Sequence, residues 1–280
     1  MKENFAGEIS DYVVTESTVF NVKKLQDLSE SLENYRRFVI VTAVNEKKVN
    51  KNFYEAIKNY CAVNNAKLLI MPCADLFSRS SVANWTFDPL IENEVFVIED
   101  TKINENLFLS SIKISAKQIN PTTGLSRIGQ RHGSYIFAAP KQSLEFVVNG
   151  RNSGKIPHAI ITPGAITIPD YTTDRYMSER ISYIAESDHV TGGLIVEVES
   201  DQRFHFRHIQ AANDGSFVDL GTRYRGNDDE AVRLAPADIT IVLGDFHAGQ
   251  VDMDVYAVTK GIISELNPHQ LILHDFFDRK

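Results

Sequence analysis

The sequence lacks the features of a membrane-embedded or exported protein. No apolar run approaches the roughly 20 residues that a helix needs to cross a bilayer. The first residues, MKENFAGEISDYVV, mix acidic with apolar side chains and contain no long apolar centre, so they do not resemble a secretion signal. Only two cysteines are present, Cys61 and Cys73, and we expect both to be reduced thiols. These absences predict a cytoplasmic protein without a membrane partner.

Positive charge is also scarce. The 280 residues include 29 Lys and Arg against 37 Asp and Glu, which gives a formal net charge of −8. A surface of this sign does not attract nucleic acid over its whole area. Contact with nucleic acid would therefore require a local concentration of basic residues, whereas acidic clusters can serve as metal sites.

Residues 121–158 form the one strongly basic window. Several glycines lie in it, and its only acidic residue is Glu145. Arginine beside glycine-rich backbone is suited to phosphate oxygens, so we predict a DNA-contacting surface here, with a solvated loop as the alternative. The predicted contact residues are Arg127, Arg131, Lys141, Arg151 and Lys155.

No nucleotide-binding fingerprint is present. The segment GLSRIGQRHG has neither the Lys-Ser/Thr ending of a P-loop nor the glycine spacing of a dinucleotide site. A Rossmann-like nucleotide binder built on residues 37–100 is therefore a weak alternative. We identify no internal repeat and no low-complexity tract.

The hydrophobic pattern predicts an α/β protein. Residues 37–75 have a strand–helix–strand pattern, in which Phe53, Ile57, Tyr60 and Cys61 share one helix face. The segment RFHFRHIQAANDGSFVDLG is typical of a β-hairpin that turns at Asp214-Gly215. His205 and His208 stand three apart on its first strand, so they point to opposite faces and cannot easily share a metal ion.

A second strand–helix–strand pattern occupies the C-terminal end. Strand DITIVLG precedes helix VDMDVYAVTKGIISEL, which Asp252 caps and Asn267-Pro268 ends, and strand QLILHD follows. The helix carries an apolar stripe of Val255, Val258, Ile262 and Leu266. A right-handed crossover makes the two strands parallel, so the residues that follow them meet at one edge of the sheet.

That edge gathers metal-binding side chains. Asp245 and His247 follow the first strand and Asp275 follows the second. A carboxylate, an imidazole and a second carboxylate can together surround a hard or borderline cation. The sequence therefore predicts a metal site built from residues 30 positions apart.

These residues resemble two motifs of the calcineurin-like metallophosphoesterases. GDFHAG resembles their Asp-x-His motif, and HDFFDRK resembles their Gly-Asp-x-x-Asp-Arg motif, with His274 where the family has glycine. The resemblance covers residues 237–280. It implies that Asp245 and His247 bind one divalent cation, most commonly manganese, and that Asp275 bridges two. Asp278 and Arg279 would be supporting catalytic groups for hydrolysis of a phosphodiester by a metal-activated water.

The later motifs of that family are absent. Neither the Gly-Asn-His-Asp/Glu motif nor the Gly-His-x-His motif occurs before Lys280. The resemblance therefore implies the N-terminal piece of a longer enzyme, and we expect the 280-residue chain alone to be inactive.

The predicted organisation has two parts. Residues 1–235 would form a mixed α/β domain that contacts DNA or oligomerises, and residues 236–280 would begin a metallophosphoesterase-like domain. This arrangement resembles the pre-early DNA-degrading nucleases of tailed bacteriophages, which implies degradation of host DNA in the host cytoplasm. The alternative is a non-enzymatic DNA-binding or assembly domain with an incomplete metal site. Homo-oligomerisation stays open.

Overall fold

The computed structural model describes residues 32, 34–74, 85–147, 157–171, 179–226, 231–245 and 251–274. It shows an α/β protein with mixed parallel and antiparallel sheets, so the predicted fold class is confirmed. None of the helices in these ranges is both long and apolar enough to cross a bilayer. The boundary near residue 235 stays a prediction.

The helices are short and strands dominate. The helices are α1 (Lys51–Asn64), α2 (Ser126–His132), α3 (Glu179–Ser187) and α4 (Met253–Leu266). The strands are β1 (Arg37–Val44), β2 (Lys67–Cys73), β3 (Val95–Phe96), β4 (Thr101–Asn104), β5 (Leu107–Ser110), β6 (Ser134–Phe137), β7 (Gln142–Val147), β8 (His158–Pro163), β9 (Gly192–Val198), β10 (Phe204–Gln210), β11 (Phe217–Asp219), β12 (Thr222–Tyr224), β13 (Val232–Arg233), β14 (Thr240–Asp245) and β15 (Gln270–His274).

The first predicted strand–helix–strand unit is confirmed. The side chain of Asn50 accepts a hydrogen bond from the Phe53 amide at 3.2 Å and so caps the start of α1. Asn65 ends the helix in the left-handed conformation, with its amide bonded to the Cys61 carbonyl. β1 and β2 then pair in parallel, as the crossover predicts. We call residues 37–73 the N-terminal unit.

Two five-stranded sheets build the centre of the molecule. Sheet I has the order β10-β9-β1-β2-β3, and sheet II has the order β4-β5-β6-β8-β7. One buried cluster contains side chains from both, including Ile40 and Leu69 of sheet I and Leu109 and Ile136 of sheet II, so the sheets pack face to face. A hydrogen-bond pair between the Thr42 hydroxyl and the backbone of Ala139 joins them.

Helices cover the two outer faces. On the outer side of sheet I, α1 buries Phe53, Ile57 and Tyr60 against β1 and β2. On the outer side of sheet II, Ile128 of α2 packs against Phe137 and other side chains of β6 and β8. The layer order is α1, sheet I, sheet II, α2, and we call residues 34–226 the layered region.

The predicted hairpin across Asp214-Gly215 was wrong. The chain does turn there, with Gly215 at a φ of 80°, but β10 pairs with β9 in sheet I and β11 pairs with β12 in a separate three-stranded sheet. The tight hairpin lies at Leu220-Gly221, where both residues have positive φ, as a two-residue turn of type I′ requires. The alternating pattern located the strands, but β10 pairs with the preceding strand β9 across the short connection 199–203 and not with β11.

Cys61 and Cys73 are not joined in a disulfide, in agreement with the predicted thiols. Cys73 is buried at the end of β2, between the sheets. Cys61 lies on α1, and burial raises the pKa of its thiol to about 12. A thiol that stays protonated at neutral pH is a poor nucleophile, so Cys61 has a packing role.

The second predicted strand–helix–strand unit is also confirmed. β14 precedes α4 in the chain, β15 follows it, and the two strands pair in parallel. The side chain of Asp252 caps α4 by accepting hydrogen bonds from the Asp254 and Val255 amides. Asn267 ends it in the left-handed conformation. We call residues 240–274 the C-terminal unit.

Candidate metal centre and basic surface

The carboxyl ends of β14 and β15 lie side by side. In the parallel ladder Leu243 pairs with Leu273, and after a local irregularity Asp245 pairs with His274. Paired strands are about 4.7–4.9 Å apart, and Asp275 is the next residue after His274. The backbone therefore brings the end of β14 and the residue preceding Asp275 to one edge of the sheet.

The predicted ligands extend just past the described strands. His247, Asp275, Asp278 and Arg279 lie outside the described residues, as does the side chain of Asp245. The predicted ligand set and the roles of Asp278 and Arg279 therefore stay predictions. Within the described ranges, no group of three His, Cys, Asp or Glu side chains is placed to hold a metal ion.

The backbone just before Asp245 is not crowded by other described residues. A Cβ atom placed on Gly244, the residue before Asp245, would meet no other atom within 4 Å. Oxygen and imidazole nitrogen donors are the types that manganese and similar divalent cations accept. The donor types fit a divalent-metal centre, with Asp245, His247 and Asp275 as the residues that would hold it.

The basic residues of the window 121–158 differ in their exposure in the structure. Arg127 is exposed on α2, where phosphate could reach it, and Arg131 lies one turn later on the same helix. The side chain of Arg131 is outside the described part, as are Arg151 and Lys155. Arg127 is the one predicted contact residue whose described side chain is available to a ligand.

Lys141 has contacts within the protein. Only 6% of the residue is exposed, and its ammonium lies 2.8 Å from Asp188 Oδ2 and 3.0 Å from the Ile119 carbonyl oxygen. The pair lines a groove of about 560 Å³ beside β7. A DNA-contacting role for Lys141 stays a prediction, but its charge is already compensated by a carboxylate 47 residues along the chain, which the local sequence does not indicate.

Two further polar clusters hold the layered region together. The guanidinium of Arg207 on β10 binds Asp219 and, at 2.8 Å, Glu197. Burial alone would raise the pKa of Glu197, but the Arg207 hydrogen bond and the charges of Arg207 and Arg37 outweigh it and lower the pKa. Because positive and negative groups are matched, this network is structural.

His189 is the core of the second cluster. Its Nε2 lies 2.8 Å from the Thr167 carbonyl oxygen and its Nδ1 lies 2.7 Å from the Tyr171 hydroxyl. Nε2–H therefore donates to the carbonyl, and Nδ1 accepts from Tyr171. Burial lowers the pKa of His189 to about 4, so the imidazole is neutral at pH 7. The sequence places His189 in a polar loop beside Glu186 and Asp188 and does not indicate its burial, because its partners come from a different segment.

Comparison with known proteins gives one informative match. The chain is 23% identical over 263 residues to Protein A1 of Escherichia phage T5, and the match covers 87% of the chain and 45% of that protein. No protein-family profile matches the sequence, and no solved structure matches it. The chain is therefore distantly related to a phage protein and spans less than half the length of the curated relative it matches.

Proposed function

We propose that the C-terminal unit begins a two-metal phosphodiesterase centre and that the protein is a DNA-cutting hydrolase of a phage. The observation that supports this is the parallel pairing of β14 with β15, in which Asp245 is opposite His274. The motif residues Asp245, His247 and Asp275 follow or end these strands. In open α/β sheets, ligands bind at the carboxyl ends of the strands.

Each proposed ligand suits its role chemically. Asp275 can bridge, because the two oxygens of a carboxylate can each face one cation. His247 offers a single nitrogen for one cation, and Asp245 completes that cation's protein ligands. When bound, divalent cations would supply the positive charge that an anionic phosphodiester and its leaving oxygen need. Asp278 and Arg279 follow closely enough to orient these ligands or the phosphate.

DNA is the proposed substrate for two reasons. The chain is distantly related to a phage protein, and the pre-early phage nucleases that its arrangement resembles degrade DNA. Arg127 also presents an exposed guanidinium on α2 within the basic window of an otherwise acidic protein. We assign recognition of the DNA backbone to the layered region and the chemistry to the C-terminal unit.

The test is manganese-dependent cleavage of supercoiled plasmid by this chain and by a longer form that includes the following residues. We expect the longer form to cut and this chain alone to be inactive. In the longer form, Asp245→Asn or Asp275→Asn should lower the rate roughly a thousandfold or more, because metal ions provide several kcal/mol of transition-state stabilisation.

Asp238→Asn is the matched control. Asp238 is exposed and precedes β14, at the opposite end of the strand from the proposed centre, so its loss should leave cleavage unchanged. Efficient cleavage by the 280-residue chain would contradict the proposed dependence on later residues. Unaltered cleavage by the Asp275→Asn form would contradict the site itself.

A non-enzymatic assembly protein is the second candidate. The exposed apolar side chains of the C-terminal unit favour it, because such surfaces mark contacts with other polypeptide. Under this proposal the longer form binds DNA but does not cut it with any divalent metal, so the same assay distinguishes the two functions.

A further inference from the structure

One edge of sheet II carries exposed apolar side chains. Sheet I ends at β10 and β3, and sheet II ends at β4 and β7. Of the described residues in these four edge strands, the large apolar side chains at the surface belong to β7, where Leu144 is 43% exposed and Phe146 is 56% exposed. An exposed apolar strand at the edge of a sheet is a surface on which another strand can pair.

The ladder between β7 and β8 determines which backbone groups of β7 face away from the sheet. The Ala159 amide donates to the Ser134 hydroxyl at 2.9 Å, so Ala159 directs its backbone groups towards β6. Phe146 is opposite Ala159 in the antiparallel ladder, so this pair exchanges no hydrogen bonds. Because the direction alternates along a strand, Leu144 and Phe146 both direct N–H and C=O to the open side. Among the described residues, no other group bonds them.

A groove runs beside the first part of this edge. Its volume is about 560 Å³, and it is lined by residues 119–122, residues 141–145 and Asp188. The Lys141 ammonium joins these segments, because it lies 3.0 Å from the Ile119 carbonyl oxygen and 2.8 Å from Asp188 Oδ2. Ligand pockets in proteins range from about 300 to 1,000 Å³, so the groove has room for a few residues of extended chain.

The side chains of β7 determine what an added strand should carry. Leu144 and Phe146 lie on one face of the strand, and Glu145 lies on the other. A residue opposite Leu144 or Phe146 has its side chain on the same face as these two, so apolar residues fit there. The side chain of Ile119, which is 61% exposed, adds apolar surface to the groove.

The exposed charge of the groove is negative. Glu145 is half-buried and makes no ion pair with the described residues. The Lys141 side chain is only 8% exposed, whereas that of its partner Asp188 is 46% exposed, so a ligand meets the carboxylate more than the ammonium. Opposite charges on facing strands stabilise a sheet and like charges destabilise it. The residue that faces Glu145 should therefore be Lys or Arg.

We propose that the open edge of β7 binds an extended, basic segment of a partner protein, which adds to sheet II as a further strand antiparallel to β7. The segment has an apolar residue opposite Leu144, Lys or Arg opposite Glu145, and an apolar residue opposite Phe146. Main-chain hydrogen bonds to Leu144 and Phe146 hold it, and its alternate side chains give specificity, as in other complexes formed by strand addition. This binding requires neither metal nor DNA and does not rest on the proposed cleavage activity.

Charge disfavours two other occupants of the edge. A second copy of the chain would bring another Glu145 and Asp188 to the same place, and each copy has a formal net charge of −8. The phosphates of DNA are repelled by the same carboxylates. A basic polypeptide segment is the occupant whose charge complements the groove.

Fluorescence anisotropy of labelled peptides tests the proposal on the 280-residue chain, without metal or DNA. The probe is a short peptide with blocked termini and the sequence Gly-Ser-Thr-Val-Lys-Val-Thr-Ser-Gly. The matched probe has Glu in place of Lys. We expect the Lys peptide to bind about tenfold more tightly, because the Glu peptide exchanges an attractive cross-strand pair for a repulsive one.

A charge reversal in the protein tests the same pair from the other side. Glu145→Lys should reverse the preference, so that the Glu peptide binds more tightly than the Lys peptide. Glu99→Lys is the matched control, because it makes the same charge change at an exposed position before β4, at the other edge of sheet II. It should leave both affinities within about twofold. A damaged fold would weaken both peptides, so a reversal cannot arise from misfolding.

Backbone methylation distinguishes strand pairing from charge attraction alone. N-methyl groups on the two Val residues of the Lys peptide remove the donors that face β7 and should weaken binding about tenfold or more, whereas an N-methyl group on the Lys should have a much smaller effect. With peptide at about ten times its Kd, the amides of Leu144 and Phe146 should exchange about tenfold more slowly. The amides of β4 should be unchanged.

Three results would overturn the proposal. Absence of binding by the Lys peptide up to about 1 mM would show that the edge accepts no such strand. Equal affinities for the Lys and Glu peptides would remove Glu145 as the selecting charge. Protection of Leu144 and Phe146 that rises with protein concentration in the absence of peptide, together with a dimer in light scattering, would assign the edge to a second copy.

Discussion

The two strand–helix–strand units are alike in local structure and unlike in packing. Both have an Asn or Asp that caps a 14-residue helix, a left-handed Asn that ends it, and two parallel strands. In one, the helix lies in a cluster with Phe217 and Tyr224, whereas no residue of the other helix is buried. Local signals are therefore sufficient to specify such a unit but not to bury it.

The energies explain why this difference matters. A helix cap stabilises by about 1 kcal/mol. Full burial of one large apolar side chain contributes about 1.5–3 kcal/mol, and α1 buries Phe53, Ile57 and Tyr60, with Tyr60 and Tyr224 in ring contact at a centroid distance of 4.8 Å. The N-terminal unit therefore depends mainly on packing, and the C-terminal unit depends on strand pairing and helix caps.

The largest expected effect compares Phe53→Ala with Val255→Ala at corresponding positions. Removal of a buried Phe side chain costs about 3–5 kcal/mol, whereas an exposed Val→Ala change should cost within about 0.5 kcal/mol. The single tryptophan, Trp85, packs against the core of the layered region and reports its urea unfolding by fluorescence. A comparable loss from Val255→Ala would mean that α4 is buried in this chain, and the contrast would fail.

The pH dependence of stability provides a second test of the comparison, because His189 belongs to the packed layered region. Its pKa is about 4 in the folded protein and near 6.5 when unfolded, because burial disfavours the charged imidazole. The unfolded state therefore takes up the proton first, so stability is complete above pH 6.5 and falls as the pH drops towards 4. The loss should be on the order of 3 kcal/mol.

Urea unfolding at several pH values measures this loss. His189→Gln removes the titrating group, so the free energy of unfolding should depend less on pH between 6.5 and 4. His205→Gln is the control, since His205 is exposed beside Glu199. A pH dependence that His189→Gln leaves unaltered would show that other groups cause the acid sensitivity.

The smallest expected effect tests whether DNA binding belongs to the layered region. Arg127→Glu in the longer form should weaken DNA binding and lower the slope of log affinity against log salt by about 1, because one phosphate contact is lost. Arg180→Glu makes the same charge change at an exposed position of α3, outside the basic window. Equal salt slopes for wild type and Arg127→Glu would remove Arg127 from the DNA surface.

Both strand–helix–strand units could be predicted because their signals are local. Phe53, Ile57 and Tyr60 recur at helical spacing, and Asp252 and Asn267 mark the ends of α4. The pairing of β1 with β9 could not be predicted, because it joins residues 37–40 to residues 194–197, which are far apart in the sequence. Non-local pairing depends on which edges and faces the rest of the chain leaves open.

The candidate sites follow the same division. Adjacent carboxyl ends for β14 and β15 follow from the crossover rule, so the sequence alone predicted that the two strands end at one edge of the sheet. Whether the charge of Lys141 is compensated depended on Asp188, which directly follows α3 in another segment of the chain. A basic residue in a sequence window has a charge, but only the fold determines whether that charge meets water or a carboxylate.

By itself, the sequence determined the α/β class, the two strand–helix–strand frames and the common edge at which β14 and β15 end, because periodicity, capping and crossover handedness act over short stretches. The tertiary structure decided the layer order, the burial of Lys141 and His189, and the contrast between the covered N-terminal unit and the bare C-terminal unit. These outcomes depend on contacts between distant segments, because the burial of a residue depends on how the whole chain packs.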